Sequence, residues 1–345
     1  MTTINKVFQP PQPAYGTEEL QTLSMPELYD AEFAAPAPII KDLLYPGLYI
    51  LAGAPKTGKS FLMAQLAYQV AQGEQLWHFS VQQASVLYLA LEDKFYRLQQ
   101  RLVRMFDMNA ASKLHMAVSA KGLANGLEEQ LTAFIRKYPD VRLIIIDTLQ
   151  KIRSVQDEKI NYARDYNCAV KLKEIADKHG ICLLLVHHTR KQQADDSFEM
   201  ISGSNGLFGA ADGAMVLRKN KRIANKASLE ISGRDLADQL LTLNFSRTHC
   251  LWSVEKATFS NWQLPPDQIL GSIAAFVRQH NAHWRGTAQE LVEALQMNNV
   301  IKNHILVRKI NTHKQQLQES YGIITKRERV GNDKIIDLHY LPQAA

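Results

Sequence analysis

Eight consecutive residues, Gly53-Ala54-Pro55-Lys56-Thr57-Gly58-Lys59-Ser60, constrain this chain more than any other stretch of its sequence. They fit the pattern G-x-x-x-x-G-K-[ST]. They also lie between the apolar run Leu48 to Ala52 and an amphipathic stretch that starts at Lys59. Strand, glycine-bearing loop and helix in that order predict a phosphate-cradling loop, whose backbone N–H groups turn inward at a helix N-terminus. Glycine is needed where a side chain would obstruct those groups. The expected ligand is ATP with Mg²⁺, enclosed by Gly53, Ala54, Pro55, Lys56, Thr57, Gly58, Lys59, Ser60 and Phe61. In that arrangement Lys59 reaches the β- and γ-phosphates and the Ser60 hydroxyl binds the metal.

Downstream of the loop, short apolar runs alternate with helical periodicity. The runs Val86 to Leu91, Leu143 to Ile146 and Ile181 to Val186 read as strands, and Ala163 to His179 reads as a helix between the last two. This alternation predicts an α/β fold with a mainly parallel sheet flanked by helices. After Ala214 the rhythm shortens to Ala214 to Arg218, Ala227 to Ile231, Gln239 to Phe245 and Leu251 to Val254, which read as antiparallel hairpins on the sheet edge. Before the sheet, residues 1–38 carry six prolines and read as an extended arm with a short helix at Ser24 to Asp30.

Three of the buried runs end in polar residues. Asp147 closes Leu143-Ile144-Ile145-Ile146, which delivers one carboxylate to the sheet edge, where it would hold the Mg²⁺ shell. Glu92 and Asp93 close Val86 to Leu91, and hydrolysis needs a carboxylate there to orient the attacking water. Glu92 is the candidate and Asp93 the alternative, because a short acid suits a helix N-cap better than a long one. His187 and His188 close the third run. A histidine at that point is placed to hydrogen-bond the γ-phosphate, and His188 is preferred.

Together these residues resemble the RecA-like ATPase core, and within it the plasmid replicative helicases of the RepA type and their DnaB-like relatives. The resemblance covers roughly Leu44 to Ala257 and rests on the phosphate loop, Leu89-Ala90-Leu91-Glu92-Asp93, Ile146-Asp147-Thr148 and Val186-His187-His188-Thr189. It implies that Glu92 is the catalytic glutamate and His188 the γ-phosphate sensor, in a homo-hexameric ring. The loops after Asp147 and Thr189 would face the ring centre, where Lys151, Arg153, Arg190 and Lys191 would meet single-stranded DNA. Such rings complete each site with a cation from the next subunit. Arg234 is the candidate here, with Arg218 and Lys219 as competitors, and no residue close to the loop in sequence supplies that charge.

The segment 258–267, with Pro265 and Pro266, reads as a linker that divides an ATPase domain at 39–257 from a final domain at 268–345. In the final domain three helices, Gln268 to His280, Thr287 to Met297 and Val307 to Ser320, precede two strands around Val330 to Asp333. That order resembles a winged helix. Val307 to Ser320 would be the recognition helix, with Arg308, Lys309 and Lys314 toward duplex DNA, and Lys326, Arg327 and Arg329 would sit on the wing.

Charge agrees with a polyanionic partner. Ten Lys and Arg against seven Asp and Glu between Thr258 and Ala345 put +3 of the chain's net +6 in its last quarter. The 46% apolar and 21% charged composition over 345 residues excludes a disordered or fibrous chain. No apolar run approaches the ~18 residues needed to cross a bilayer, and Met1 to Pro13 lacks an apolar signal core, so no membrane partner and a cytoplasmic location are expected. Cys168, Cys182 and Cys250 are too scattered for a disulfide framework or a zinc site. On sequence grounds the chain reads as a replicative helicase of a mobile element. The rival readings are a regulatory or recombination ATPase of the RadA or KaiC kind, which does not unwind, and a DNA-binding adaptor without enzyme activity.

Overall fold

The computed structural model describes residues 20, 22–31, 33, 36–153, 162–189, 197–201, 205–219, 225–260, 267–331 and 333–341. Arg190 and Lys191 lie outside them. The chain divides into two compact units, one of residues Pro36–Trp262 and one of Met1–Ala35 with Gln263–Ala345. The smaller unit begins with α1 (Met25–Asp30), which opens on a reciprocal cap: the Ser24 side chain accepts from Glu27 N, and the Glu27 carboxylate accepts from Ser24 N. Pro26 in the first turn costs no hydrogen bond, because that N–H has no helical partner.

In the larger unit the chain runs β1 (Gly47–Gly53), α2 (Lys59–Gln72), β2 (Ser85–Ala90), α3 (Phe95–Phe106), β3 (Leu114–Ala117), α4 (Leu127–Lys137), β4 (Val141–Asp147), α5 (Tyr162–His179), β5 (Cys182–His188), α6 (Asn205–Ala210) and β6 (Gly213–Arg218). Three longer strands follow, β7 (Lys226–Gly233), β8 (Leu236–Ser246) and β9 (Leu251–Phe259). Among the described residues they build one sheet in the order β3-β2-β4-β5-β1-β6-β7-β8-β9. Every pairing from β3 to β6 is parallel, and every pairing from β6 to β9 is antiparallel. The expectation of an antiparallel hairpin is therefore wrong for Ala214 to Arg218, which pairs parallel to β1. A five-residue apolar run carries no directional information, and only the three strands after it form the antiparallel extension.

The central strands are apolar throughout because helices cover both faces. β1 is buried at every residue, and β4 at every residue but Arg142. Alternation divides them between two core layers: Tyr49, Leu51, Leu143, Ile145, Leu184 and Val186 pack with Leu62, Met63 and Leu66 of α2, while Leu48, Ile50, Ile144, Ile146, Leu183 and Leu185 pack with Leu172, Ile175 and Ala176 of α5. Each such side chain contributes about 1.5–3 kcal/mol by leaving water. The strand ends that carry polar residues are held rigidly as a result.

The smaller unit continues with α7 (Gln268–Gln279), β10 (His283–Thr287), α8 (Ala288–Ala294), α9 (Asn303–Thr312), α10 (Lys314–Tyr321), β11 (Ile323–Val330) and β12 (Asp333–Tyr340). Its three strands form an antiparallel sheet in the order β10-β12-β11 over a core that includes Leu270, Ile273, Val277, Leu291, Leu306, Ile310, Leu317, Ile336 and Leu338. Asp267 caps α7 by accepting from Ile269 N and Leu270 N, and Thr287 with Glu290 caps α8 reciprocally. Two expectations need correction. The stretch around Trp284 is the strand β10 and not merely an approach to a helix, and the single helix read at Val307 to Ser320 is two, α9 and α10, broken at His313. No helix among the described residues is long and apolar enough to cross a membrane.

Candidate active site

The loop after β1 turns over the start of α2, where Gly58 adopts φ +100°, a conformation costly for any residue with a Cβ. A Cβ there would also come within 2.9 Å of the Trp252 ring. Trp252 is fully buried, donates through Nε1 to Gly58 O (3.3 Å) and exchanges two hydrogen bonds with Gln65 of α2 (2.8 and 2.9 Å). The antiparallel extension thus props the loop from below. Nothing in the loop sequence signals this support, because Trp252 lies far along the chain.

Four strand ends meet above that loop. A cavity of about 590 Å³ is lined by Pro55 to Phe61, Glu92, Asp147, Thr148 and His188, which lie at or just beyond the C-terminal ends of β1, β2, β4 and β5. Register explains the convergence: Gly53 pairs with His188, and Ala90 with Asp147, across neighbouring parallel strands. Ligand sites in open α/β sheets form in such crevices at the carboxyl ends of strands.

Lys59 is buried, with Nζ donating to the carbonyls of Gly53 (2.7 Å) and Ala54 (2.9 Å) and standing 3.5 Å from His188 Nδ1. Burial lowers its pKa to about 8, against the opposing pull of Asp147 and Glu92. A phosphate would restore the missing counter-charge. His188 is pushed below its ordinary value by burial and by the Lys59 charge, which leaves a neutral ring. His187, one residue earlier, is buried and does not line the cavity.

Asp147 accepts hydrogen bonds from the Tyr88 hydroxyl (2.8 Å) and from Ser60. Burial raises its carboxyl above the ordinary value despite those bonds and the Lys59 charge. One carboxylate beside one hydroxyl is a hard-oxygen donor set that fits Mg²⁺. Glu92 accepts from Thr148 Oγ1 (3.2 Å) on the cavity wall. Asp93 is occupied elsewhere, in ion pairs with Arg101 (2.6 Å) and Arg97 (3.3 Å). The two acids are thereby separated: Glu92 faces the cavity and Asp93 anchors α3.

Cations reach the cavity from within the same chain, contrary to the expectation that the trans cation has no local counterpart. Arg101 of α3 lies over the Phe61 ring (5.2 Å), and Lys219 lies over Phe245 (5.1 Å) and Trp252 (5.0 Å). Arg101 was not legible in sequence; its signal is the i, i+4 pair of Arg97 and Arg101 close behind Asp93. Arg234 is not in this cavity. Its side chain is exposed and donates to Gly209 O (3.1 Å), with Asp212 at 4.0 Å, and Arg218 pairs with Glu230.

The expected DNA contacts are also scattered. Lys151 is exposed in the short helical turn after β4 and Arg153 is half-buried. In the smaller unit Lys314, Lys326 and Arg329 are exposed, Arg308 pairs with Asp30 and Lys309 pairs with Asp267. Strand alternation puts Arg327, Arg329 and Lys334 on one face of the β11–β12 hairpin and Lys326 on the other.

A family model described as an AAA domain matches residues 16–194. No curated protein matches the chain. Among solved structures, one described as an isolated ATPase domain superposes with a TM-score of 0.51 at 15% identity, covering 61% of this chain and 85% of that one. A DnaB-like replicative helicase, described with its interactions with primase, gives 0.51 at 16% identity and covers 61% of this chain and 57% of that one. The RecA-like α/β fold expected from the loop and strand-end motifs is borne out by these likenesses.

Proposed function

From its membership of the AAA domain family, to which this chain belongs, we propose that it is an ATP-hydrolysing motor on DNA, a replicative helicase of the DnaB-like kind from a mobile element. One observation carries the reading: Lys59, Ser60, Asp147, Glu92 and His188 come from four strand ends and line a single cavity. Lys59 and the loop N–H groups bind and orient the triphosphate, and Glu92 accepts a proton from water aligned with the γ-phosphorus. His188, neutral and beside Lys59, reports whether the γ-phosphoryl group is present. Ser60 and Asp147 would hold Mg²⁺, which neutralises charge on the phosphate oxygens.

The protein acts as a homo-hexamer, in which Arg234 enters a neighbour's site as the trans cation and Lys151, Arg153, Arg190 and Lys191 line the path of single-stranded DNA. Arg101 and Lys219 supply positive charge in cis. The order helix, strand, helix, helix, strand, strand in the smaller unit supports a winged helix that meets duplex DNA. An ATP-driven strand-displacement assay tests the proposal. Wild-type protein should separate duplexes and Lys59→Ala should not; a protein that hydrolyses ATP on DNA without displacing a strand would favour a regulatory or recombination ATPase.

A further inference from the structure

A second cavity, of about 430 Å³, lies in the smaller unit and is lined by His304, Val307 and Arg308 of α9, Arg327 of β11, Lys334 of β12, and Asp30 of α1. Its cations come from three elements and converge on one carboxylate. Arg308 grips Asp30 with two prongs, Nε to Oδ1 at 2.8 Å and Nη2 to Oδ2 at 3.1 Å, and its guanidinium lies over the Tyr29 ring at 5.9 Å. Arg327 and Lys334 add their charge, and together with the Arg308 hydrogen bond they hold the Asp30 carboxyl below its ordinary value. The planar fork of arginine suits a phosphate as well as a carboxylate.

Little else holds α1 in place. None of its residues is buried, and Met25 and Leu28 remain 62% and 48% exposed. A helix so poor in apolar contact is kept there mainly by the Asp30–Arg308 pair, and exposed pairs of this kind are weak.

We propose that this cavity is a binding site for a backbone phosphate of duplex DNA, and that Asp30 is its built-in competitor, a carboxylate on the chain's own N-terminal helix that the phosphate must displace. The inference rests on the reading of the smaller unit as a DNA-binding domain. It adds a discrete phosphate site with Lys334 and His304 among its walls, and it assigns a role to α1. Binding exchanges one anion for another on Arg308: the phosphate oxygens take over the two N–H donors, and α1 is released with its carboxylate solvated.

Full-length protein and a fluorescent duplex, followed by anisotropy at low salt, test this. Asp30→Asn removes the competitor and should tighten binding about two- to five-fold, the range expected for one exposed ion pair. Glu293→Gln, an equal charge change on α8 away from the cavity, should leave affinity unchanged. Arg308→Ala should weaken binding, and Asp30→Asn should give no gain in that background, because the two act through one contact. If Asp30→Asn binds no tighter while Arg308→Ala binds more weakly, the competition is refuted and the DNA-binding reading survives. If neither substitution moves the affinity, both are refuted.

Discussion

Positive charge is handled in opposite ways at the edge of the parallel sheet and on the outer surface of α9 and its hairpin. At the sheet edge Lys59 is buried and bound to two carbonyls beside a buried carboxylate. On α9 and the hairpin, Arg308, Arg327 and Arg329 are half-buried or exposed, and the contact to Asp30 lies open to solvent. Desolvation makes each interaction in the first region strong and specific to one geometry, whereas water and salt screen the second. Loss of a single group should therefore be nearly all-or-none in one place and graded in the other.

The sharpest break between the regions is expected from Lys59→Ala, which should lower turnover by at least about 10²-fold through lost charge stabilisation. A steady-state ATPase assay checks it, and a variant with half the native rate would show that the cavity does not work as a desolvated site. Trp252→Ala comes next. It empties the space under Gly58 and should cost about 3–5 kcal/mol of stability, seen as a lower unfolding midpoint, while urea denaturation of the smaller unit's fluorescence stays unchanged. Arg329→Ala should act only on the exposed side. The log–log salt slope of duplex binding should fall by ~0.9, with basal ATPase intact, if that side chain neutralises one phosphate.

The smallest effect separates burial from screening by pH. His115 and His179 are held below their ordinary 6.5, first by burial and then with help from Lys137 and Lys178 respectively. The unfolded chain thus binds more protons than the folded one below that value, and stability should fall as pH drops through about 6.5. Midpoints measured between pH 7.5 and 6 should decline, and the double variant His115→Gln/His179→Gln should decline less steeply. Equal slopes would mean the two rings are not desolvated.

How much of this was legible in the sequence follows from the range of the interactions. The phosphate loop is local, so eight residues between a strand and a helix suffice to place it. Asp147, Glu92 and His188 are each local to a strand end, and the parallel sheet brings those ends together. Trp252 under Gly58, Lys219 over Phe245 and Arg101 over Phe61 depend on contacts between residues distant in the chain, and no periodicity encodes them. Strand β3 has four half-buried residues and so shows no apolar run, and the break between α9 and α10 at His313 carries no glycine or proline to mark it. The charge count of the last quarter correctly shows basic excess but not its pairing, since Asp30 lies 278 residues from Arg308.

The most direct test of the central claim is made on Glu92→Gln, because this change keeps the shape of the cavity and the hydrogen bond with Thr148 while removing the group that takes the proton from water. Nucleotide affinity and single-turnover hydrolysis should be measured on the same preparation. The account predicts near-native ATP affinity with a hydrolysis rate lowered by about 10²–10⁴-fold. Native hydrolysis by Glu92→Gln would contradict it and move the proton acceptor to another group.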